Sequence, residues 1–202
     1  DDNVSDDNQS VLLTLTPSSS DSKYNSSSLA QSLSVTTLDN DTAGIVLSEA
    51  SVTVDERSGS DNFTVRLQSE PLDNVTLTLS DNDSTEVSVS PASLSFGPDN
   101  WSEVQTVVVR GVADSFDDGS QTSTITIASD NSTSDGKYLL SALDNSTLTV
   151  VTLDNDTATV TIDNVSVSEN ATTATMTLRL SNKVSDNFTV YVSTIDGTAR
   201  SS

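Results

Sequence analysis

Acidic residues and asparagines in this chain gather in short clusters. TLDNDTA stands at residues 37–43 and again, letter for letter, at 152–158, while SDNDS (80–84) and ADSFDDGS (113–120) concentrate acid in the same way. Oxygen donors so placed could hold a hard cation such as calcium, which takes roughly six to eight oxygens. The same residue types are what turns require, because Asp, Asn and Gly bond their own backbone or tolerate unusual dihedrals. In each TLDNDTA the asparagine is also followed two places later by threonine, the acceptor pattern for an N-linked sugar. Metal ligand, sugar site and turn compete for one motif. An EF-hand reading of DNDTAGIVLSEA (39–50) fails, since Ala43 and Ala50 occupy the fifth and twelfth positions and the flanks read as strands.

The sugar pattern extends through the chain. Of fifteen asparagines, fourteen lie in N-x-S/T: Asn3, Asn8, Asn25, Asn40, Asn62, Asn74, Asn82, Asn100, Asn131, Asn145, Asn155, Asn164, Asn170 and Asn187. Asn182 is the exception. Ser and Thr fill about a third of the chain, so about five matches would arise by chance. In NFT (62–64), NVT (74–76) and NFT (187–189) the apolar middle residue should point inward, leaving asparagine and threonine on the solvent face. These features predict a secreted or cell-surface protein carrying N-linked glycans.

Other chemistries are closed off. The chain has no histidine and no cysteine, which removes disulfides, thiolate metal sites and every His-dependent catalytic dyad. Eight basic residues against thirty acidic ones give a formal charge of −22, which repels nucleic acid and anionic membranes and favours cations or a basic surface. No apolar run suits a membrane span. Carboxylate pairs could serve a glycosidase, but one Trp and three Tyr suggest no aromatic-lined cleft, and acids confined to turns are ordinary. No enzyme activity is expected. Trp101, after a Gly-Pro-Asp-Asn turn, reads as a core anchor or a glycan-stacking ring.

The elements that position these residues read as strands. In DNFTVRLQ (61–68), Phe63, Val65 and Leu67 alternate with Asn62, Thr64 and Arg66, and NVTLTLS (74–80), EVSVS (86–90), TSTITIA (122–128) and NFTVYVS (187–193) alternate likewise. Period two with Val, Thr and Ile marks a half-buried antiparallel strand. EVQTVVVRGV (103–112) is too apolar for clean alternation and suits a more central strand. Turn clusters separate these runs and no helix stands out, so the expected fold is all-β, an immunoglobulin-like sandwich. Leu, Ile, Val and Phe at roughly a quarter of the residues argue against disorder.

The chain also repeats itself. FTVRLQSEPLDNVTLTLS (63–80) aligns without a gap on MTLRLSNKVSDNFTVYVS (176–193), SDDNQS (5–10) on FDDGSQ (116–121), and SDSKY (20–24) on SDGKY (134–138). The period of about 113–115 residues suits one sandwich. Residues 44–156 then form one complete copy, 1–43 the closing strands of a preceding copy, and 157–202 the opening strands of a following one. TLDNDTA is the junction, with almost no linker, so adjacent copies should stand end to end with little freedom to bend.

VSVSENATTATMTLRLSNKVSDNFTVYVSTIDGTA (165–199) resembles the opening half of a Calx-β domain in its VxVxE start, its alternating strand ending in LS and its T-x-D-G-T-A turn. Residues 44–156 resemble the version tandemly repeated in large microbial surface proteins, through SVSPASLSFGPDNWSEVQTVVVRGV (88–112), the acidic loop ADSFDDGSQ and the closing LDNDTA. That copy departs from the pattern in carrying SDNDSTE (80–86) where the family has D-G-T-A. The resemblance implies calcium ligands at Glu56, Asp81, Asp83, Asp114, Asp117, Asp118, Asp154 and Asp156, from four loops gathered at one end of the sandwich. It implies a structural role, as a fibre or adhesin stalk made of further copies of the same repeat. A calcium-responsive regulatory module and a ligand-binding adhesin domain are the alternatives. The partial copies at the two ends read either as a window on a longer tandem chain or as halves completed by another copy.

Overall fold

Alternation becomes burial in the computed structural model of the chain, which describes residues 2–130, 135–139, 146–193 and 195. The strands are β1 (Gln9–Leu15), β2 (Gln31–Thr37), β3 (Ile45–Leu47), β4 (Ser51–Asp55), β5 (Ser60–Leu67), β6 (Val75–Asp81), β7 (Val87–Ser90), β8 (Ser93–Phe96), β9 (Gln105–Gly111), β10 (Phe116–Asp117), β11 (Gln121–Ser129), β12 (Ser146–Leu153), β13 (Val160–Ile162), β14 (Leu178–Leu180) and β15 (Lys183–Val184). A single 3-10 turn, Ser27–Leu29, is the helical element among the described residues.

Residues 45–153 build a sandwich of two sheets, ordered β4-β12-β11-β6-β8 and β3-β5-β9-β7. Every pairing within them is antiparallel except β4 with β12, which run parallel. Those two strands stand far apart in sequence and share no hairpin, so nothing forces them antiparallel. The expected inward set on β5, Phe63, Val65 and Leu67, is buried together with Val75 and Leu77 of β6, Ile125 and Ile127 of β11, and Leu148 and Val150 of β12. β9 lies between β5 and β7, as its apolar sequence suggested. Trp101 packs part-exposed against this core, and its carbonyl accepts from the Leu67 N–H at 3.0 Å. Tyr138 caps the core. It is fully buried, and its hydroxyl meets Ser69 three times: Oη donates to Ser69 O at 2.6 Å, accepts from Ser69 N at 3.1 Å and bonds Ser69 Oγ at 2.9 Å.

Flanking segments reuse the same registers. β1 pairs with β2 from Gln9↔Thr37 to Leu15↔Gln31, as β11 pairs with β12 from Gln121↔Thr152 to Ile127↔Ser146. β13 pairs with β14 through Val160↔Leu180, as β3 pairs with β5 through Ile45↔Leu67. Leu13 and Leu33 are 48% and 55% exposed, whereas their counterparts Ile125 and Leu148 are at 0%. Tyr24 is 62% exposed against 1% for Tyr138.

Two sequence expectations need correction. The acidic loops align one residue differently from the match of Asp-Asp on Asp-Asp. Gln9 corresponds to Gln121, which sets Asp7 on Gly119 rather than on Asp118. The backbone explains this: Asp7 (φ 66°) and Gly119 (φ 73°) hold the same left-handed turn, which Gly adopts freely and Asp tolerates. NFTVYVS (187–193) also forms no strand. Its counterpart β6 lies between β11 and β8, and residues 157–193 contain no counterparts of those neighbours to complete the ladder bonds.

Candidate cation site and unit junctions

Four loops bring carboxylates to one end of the sandwich. The β4–β5 turn carries Glu56, the β6–β7 loop Asp83 and Glu86, the segment after β9 Asp114 to Asp118, and the segment after β12 Asp154 and Asp156. Gly111 allows the close approach. A Cβ there would lie 2.4 Å from Asp55 O, so only glycine lets the end of β9 pass the turn that bears Glu56. Carboxylate oxygens of Glu56, Asp154 and Asp156 lie within 4.8 Å of one another.

Each of the three is oriented by an N–H donor. Glu56 Oε1 accepts from Asp114 N at 2.9 Å, and Asp154 accepts from Gly119 N and Asp156 N at 2.7 Å each. Asp156 Oδ1 accepts from Asn182 Nδ2 at 2.9 Å. A carboxylate has about four lone-pair sites, so these bonds aim the groups without exhausting them. Glu56 is buried. The Asp114 N–H pulls its pKa down, but burial together with the charges of Asp114 and Asp154 prevails, and the net shift is upward. Burial first, then the charges of Asp118, Asp83, Asp114 and Glu56, push Glu86 up to about 7. Like charges held this close ionise reluctantly unless a cation joins them.

The sequence-derived ligand set therefore divides. Glu56, Asp154 and Asp156 come together, and Asp83, Asp114 and Asp118 bear on them or on Glu86 by charge. Asp81 ends β6 in register with Ile125, and Asp117 Oδ2 accepts from Ala158 N at 2.6 Å. Glu86 is not in that set, since in EVSVS it reads as the polar first residue of a strand, whereas β7 begins at Val87. Its signal was its position directly after the acidic SDNDST loop.

The earlier TLDNDTA makes the same turn. Asp39 Oδ1 accepts from Asp41 N at 2.9 Å and Oδ2 from Asp7 N at 2.8 Å, matching the bonds of Asp154. The Asp41 N–H, the Asp7 and Asp6 N–H groups and the Lys137 charge outweigh desolvation and hold Asp39 below the usual carboxylate range.

Of the sequon asparagines, Asn3, Asn8, Asn25, Asn40, Asn62, Asn74, Asn82, Asn164, Asn170 and Asn187 are exposed, and Asn100 and Asn155 are half-buried. Asn131 and Asn145 lie outside the described residues, as does the Asp196–Ala199 part of the T-x-D-G-T-A turn. Asn62 stands on β5 beside buried Phe63, and Asn74 immediately precedes β6 beside buried Val75. Asn187 lies on no strand, and Phe188 is exposed.

A family model for the Calx-beta domain matches residues 39–156 and again 153–202. The chain belongs to the Calx-β family. No curated protein matches the chain. Among solved structures, the periplasmic chaperone SfaE is similar at 8% identity and TM-score 0.42, over 55% of this chain and 58% of that one. SSP-19, an MSP-domain-like protein of Caenorhabditis elegans, is similar at 11% identity and TM-score 0.38, over 54% and 98%. Domains 4 and 5 of the S-layer protein SbsC are similar at 19% identity and TM-score 0.35, over 61% and 59%. This chain thus spans less than two thirds of the chaperone and of the SbsC segment.

Proposed function

We propose that this Calx-β chain is a stretch of an extracellular array of repeats, used as a fibre or stalk and coated with N-linked glycans. The observation that carries the reading is the recurrence of strand register: β1–β2 against β11–β12, and β3–β5 against β13–β14. A chain that restarts the same sandwich directly after TLDNDTA has the form of a linear array. Strands of about eight residues at roughly 3.3 Å each, with their loops, make a unit about 40 Å long. The fourteen acceptor patterns support a glycan coat, and ten of the twelve on described residues are exposed.

Calcium fits the acidic end. Glu56, Asp154 and Asp156 would hold the ion, with Glu86 and Asp114 beside them, and the ion would neutralise carboxylates that otherwise repel. Two measurements on native material test the reading. Intact mass before and after deglycosylation should fall by many glycans, and images should show filaments with an axial repeat near the length of one or two units. Bare asparagines throughout, or discrete globular particles, would overturn it.

A further inference from the structure

Asn182 is the one asparagine of fifteen outside an N-x-S/T pattern. Among the described residues it is also the asparagine whose amide nitrogen is committed. Nδ2 donates to Asp156 Oδ1 at 2.9 Å and to Thr157 O at 3.3 Å. Both partners only accept, so chemistry dictates which way this amide faces. Asn8, Asn82 and Asn100 engage through Oδ1 instead, accepting from the N–H groups of Asp39, Thr124 and Gly97. That leaves Nδ2, the atom a sugar would occupy, unspent.

Asn182 stands where the sandwich meets the next unit. Beside it β10 and β15 pair in parallel, Phe116 with Lys183 and Asp117 with Val184. Asp117 Oδ2 also takes the Ala158 N–H at 2.6 Å. The joint before the sandwich repeats the parallel pairing at one residue, while Ser69 stands there in the place of Asn182 and bonds Tyr138 instead. Val4 bridges Glu70 in parallel, and Glu70 N donates to Asn3 O at 2.7 Å. The register of the two halves makes Val4 the counterpart of Phe116 and Glu70 the counterpart of Lys183. Pro71 holds the place of Val184 and has no N–H to extend the pairing. An ion pair from Lys137 Nζ to Asp7 Oδ1, at 2.6 Å, spans that joint instead.

We propose that this clasp is a fixed interface between successive units, and that Asn182 lacks the sugar pattern because its amide belongs to the clasp. The same loop grips the same strand end at both joints, so each unit is set on the last with a similar orientation, whether or not a cation is bound. The use of the clasp, a regular fibre, rests on the array reading above. The clasp itself does not.

Hydrogen exchange of the full 202-residue chain in chelator tests it. Asn182→Asp removes both N–H donors and sets a carboxylate against Asp156. Amides at 115–118 and 182–184 should then exchange at least tenfold faster, with β5 and β9 unchanged as the control for folding. Val184→Thr creates the missing pattern at Asn182. Made in a host without glycosylation, it supplies the reference that separates the effect of the Val184 change from that of a sugar. Made in a glycosylating host, it should show either a bare Asn182 beside occupied sites or a sugar at Asn182 with the joint opened. Parent-like protection in Asn182→Asp, or in chains glycosylated at Asn182, would overturn the clasp while leaving the array untouched. Native material without filaments would remove the array and leave the clasp standing.

Discussion

Glu86 shows most clearly what separates a turn carboxylate from a carboxylate crowded by like charges. Turn acids spend their charge on nearby N–H groups, as Asp39 does on Asp41 N, and such bonds favour the ionised form. Glu86 sits partly buried among acids, and its pKa stands at about 7 rather than the ordinary 4.5. A raised folded pKa means that the folded chain binds the proton more tightly than the unfolded chain does. Its stabilising share is present in full below about pH 4.5 and is lost as pH rises through about 7. Partial solvation trims the effect to about 1 kcal/mol. In chelator, Glu86→Gln should therefore raise the melting temperature at pH 8 and leave it nearly unchanged at pH 4. The difference between the two melting curves across that range is the readout, and a pH-independent difference would remove Glu86 from the electrostatics of the cluster.

At the scale of strands, alternation was readable wherever one face met a full sandwich. DNFTVRLQ announced its inward set because Phe63, Val65 and Leu67 each found the opposite sheet. NFTVYVS alternates equally well but stays without ladder partners, since alternation reports which face would be buried and not whether a neighbour is present. The loop offset was illegible for another reason: two Asp-Asp pairs match by letter, while the shared feature is a left-handed residue that Asp7 and Gly119 satisfy in different ways. The family resemblance implied that the acidic loops gather at one end, but the approach at Gly111 and the place of Glu86 depended on packing that no local pattern encodes. Tyr138 is the strongest case of packing hidden in a loop motif. SDGKY stands out in the sequence only as a match to SDSKY, yet its tyrosine is buried with three bonds to Ser69. Tyr138→Phe keeps the ring and strands the Ser69 N–H and carbonyl, which should cost about 1–3 kcal/mol in chemical denaturation. A loss under about 0.5 kcal/mol would show that water replaces the hydroxyl without penalty.

On the scale of the whole molecule the governing quantity is the formal charge of −22, which opposes a compact state at every separation within a Debye length, about 8 Å at physiological salt. Sodium chloride should raise the melting temperature gradually between about 0.01 and 1 M, because screening weakens repulsion without choosing among carboxylates. A cation held by Glu56, Asp154 and Asp156 acts differently, because it binds the folded cluster and stabilises in proportion to the logarithm of its concentration over its dissociation constant. Calcium should therefore lift the melting temperature at millimolar concentrations or below, beyond sodium chloride of equal ionic strength. Magnesium should do less, since it demands a tighter octahedron and gives up water reluctantly. Glu56→Gln together with Asp154→Asn should abolish the calcium increment and leave the sodium increment in place, because the rest of the acidic surface is untouched. Calcium and sodium curves that coincide at equal ionic strength in the parent chain would reduce the cluster to turn chemistry in a strongly acidic protein. Persistence of the calcium increment in the double variant would instead move the ion to other carboxylates.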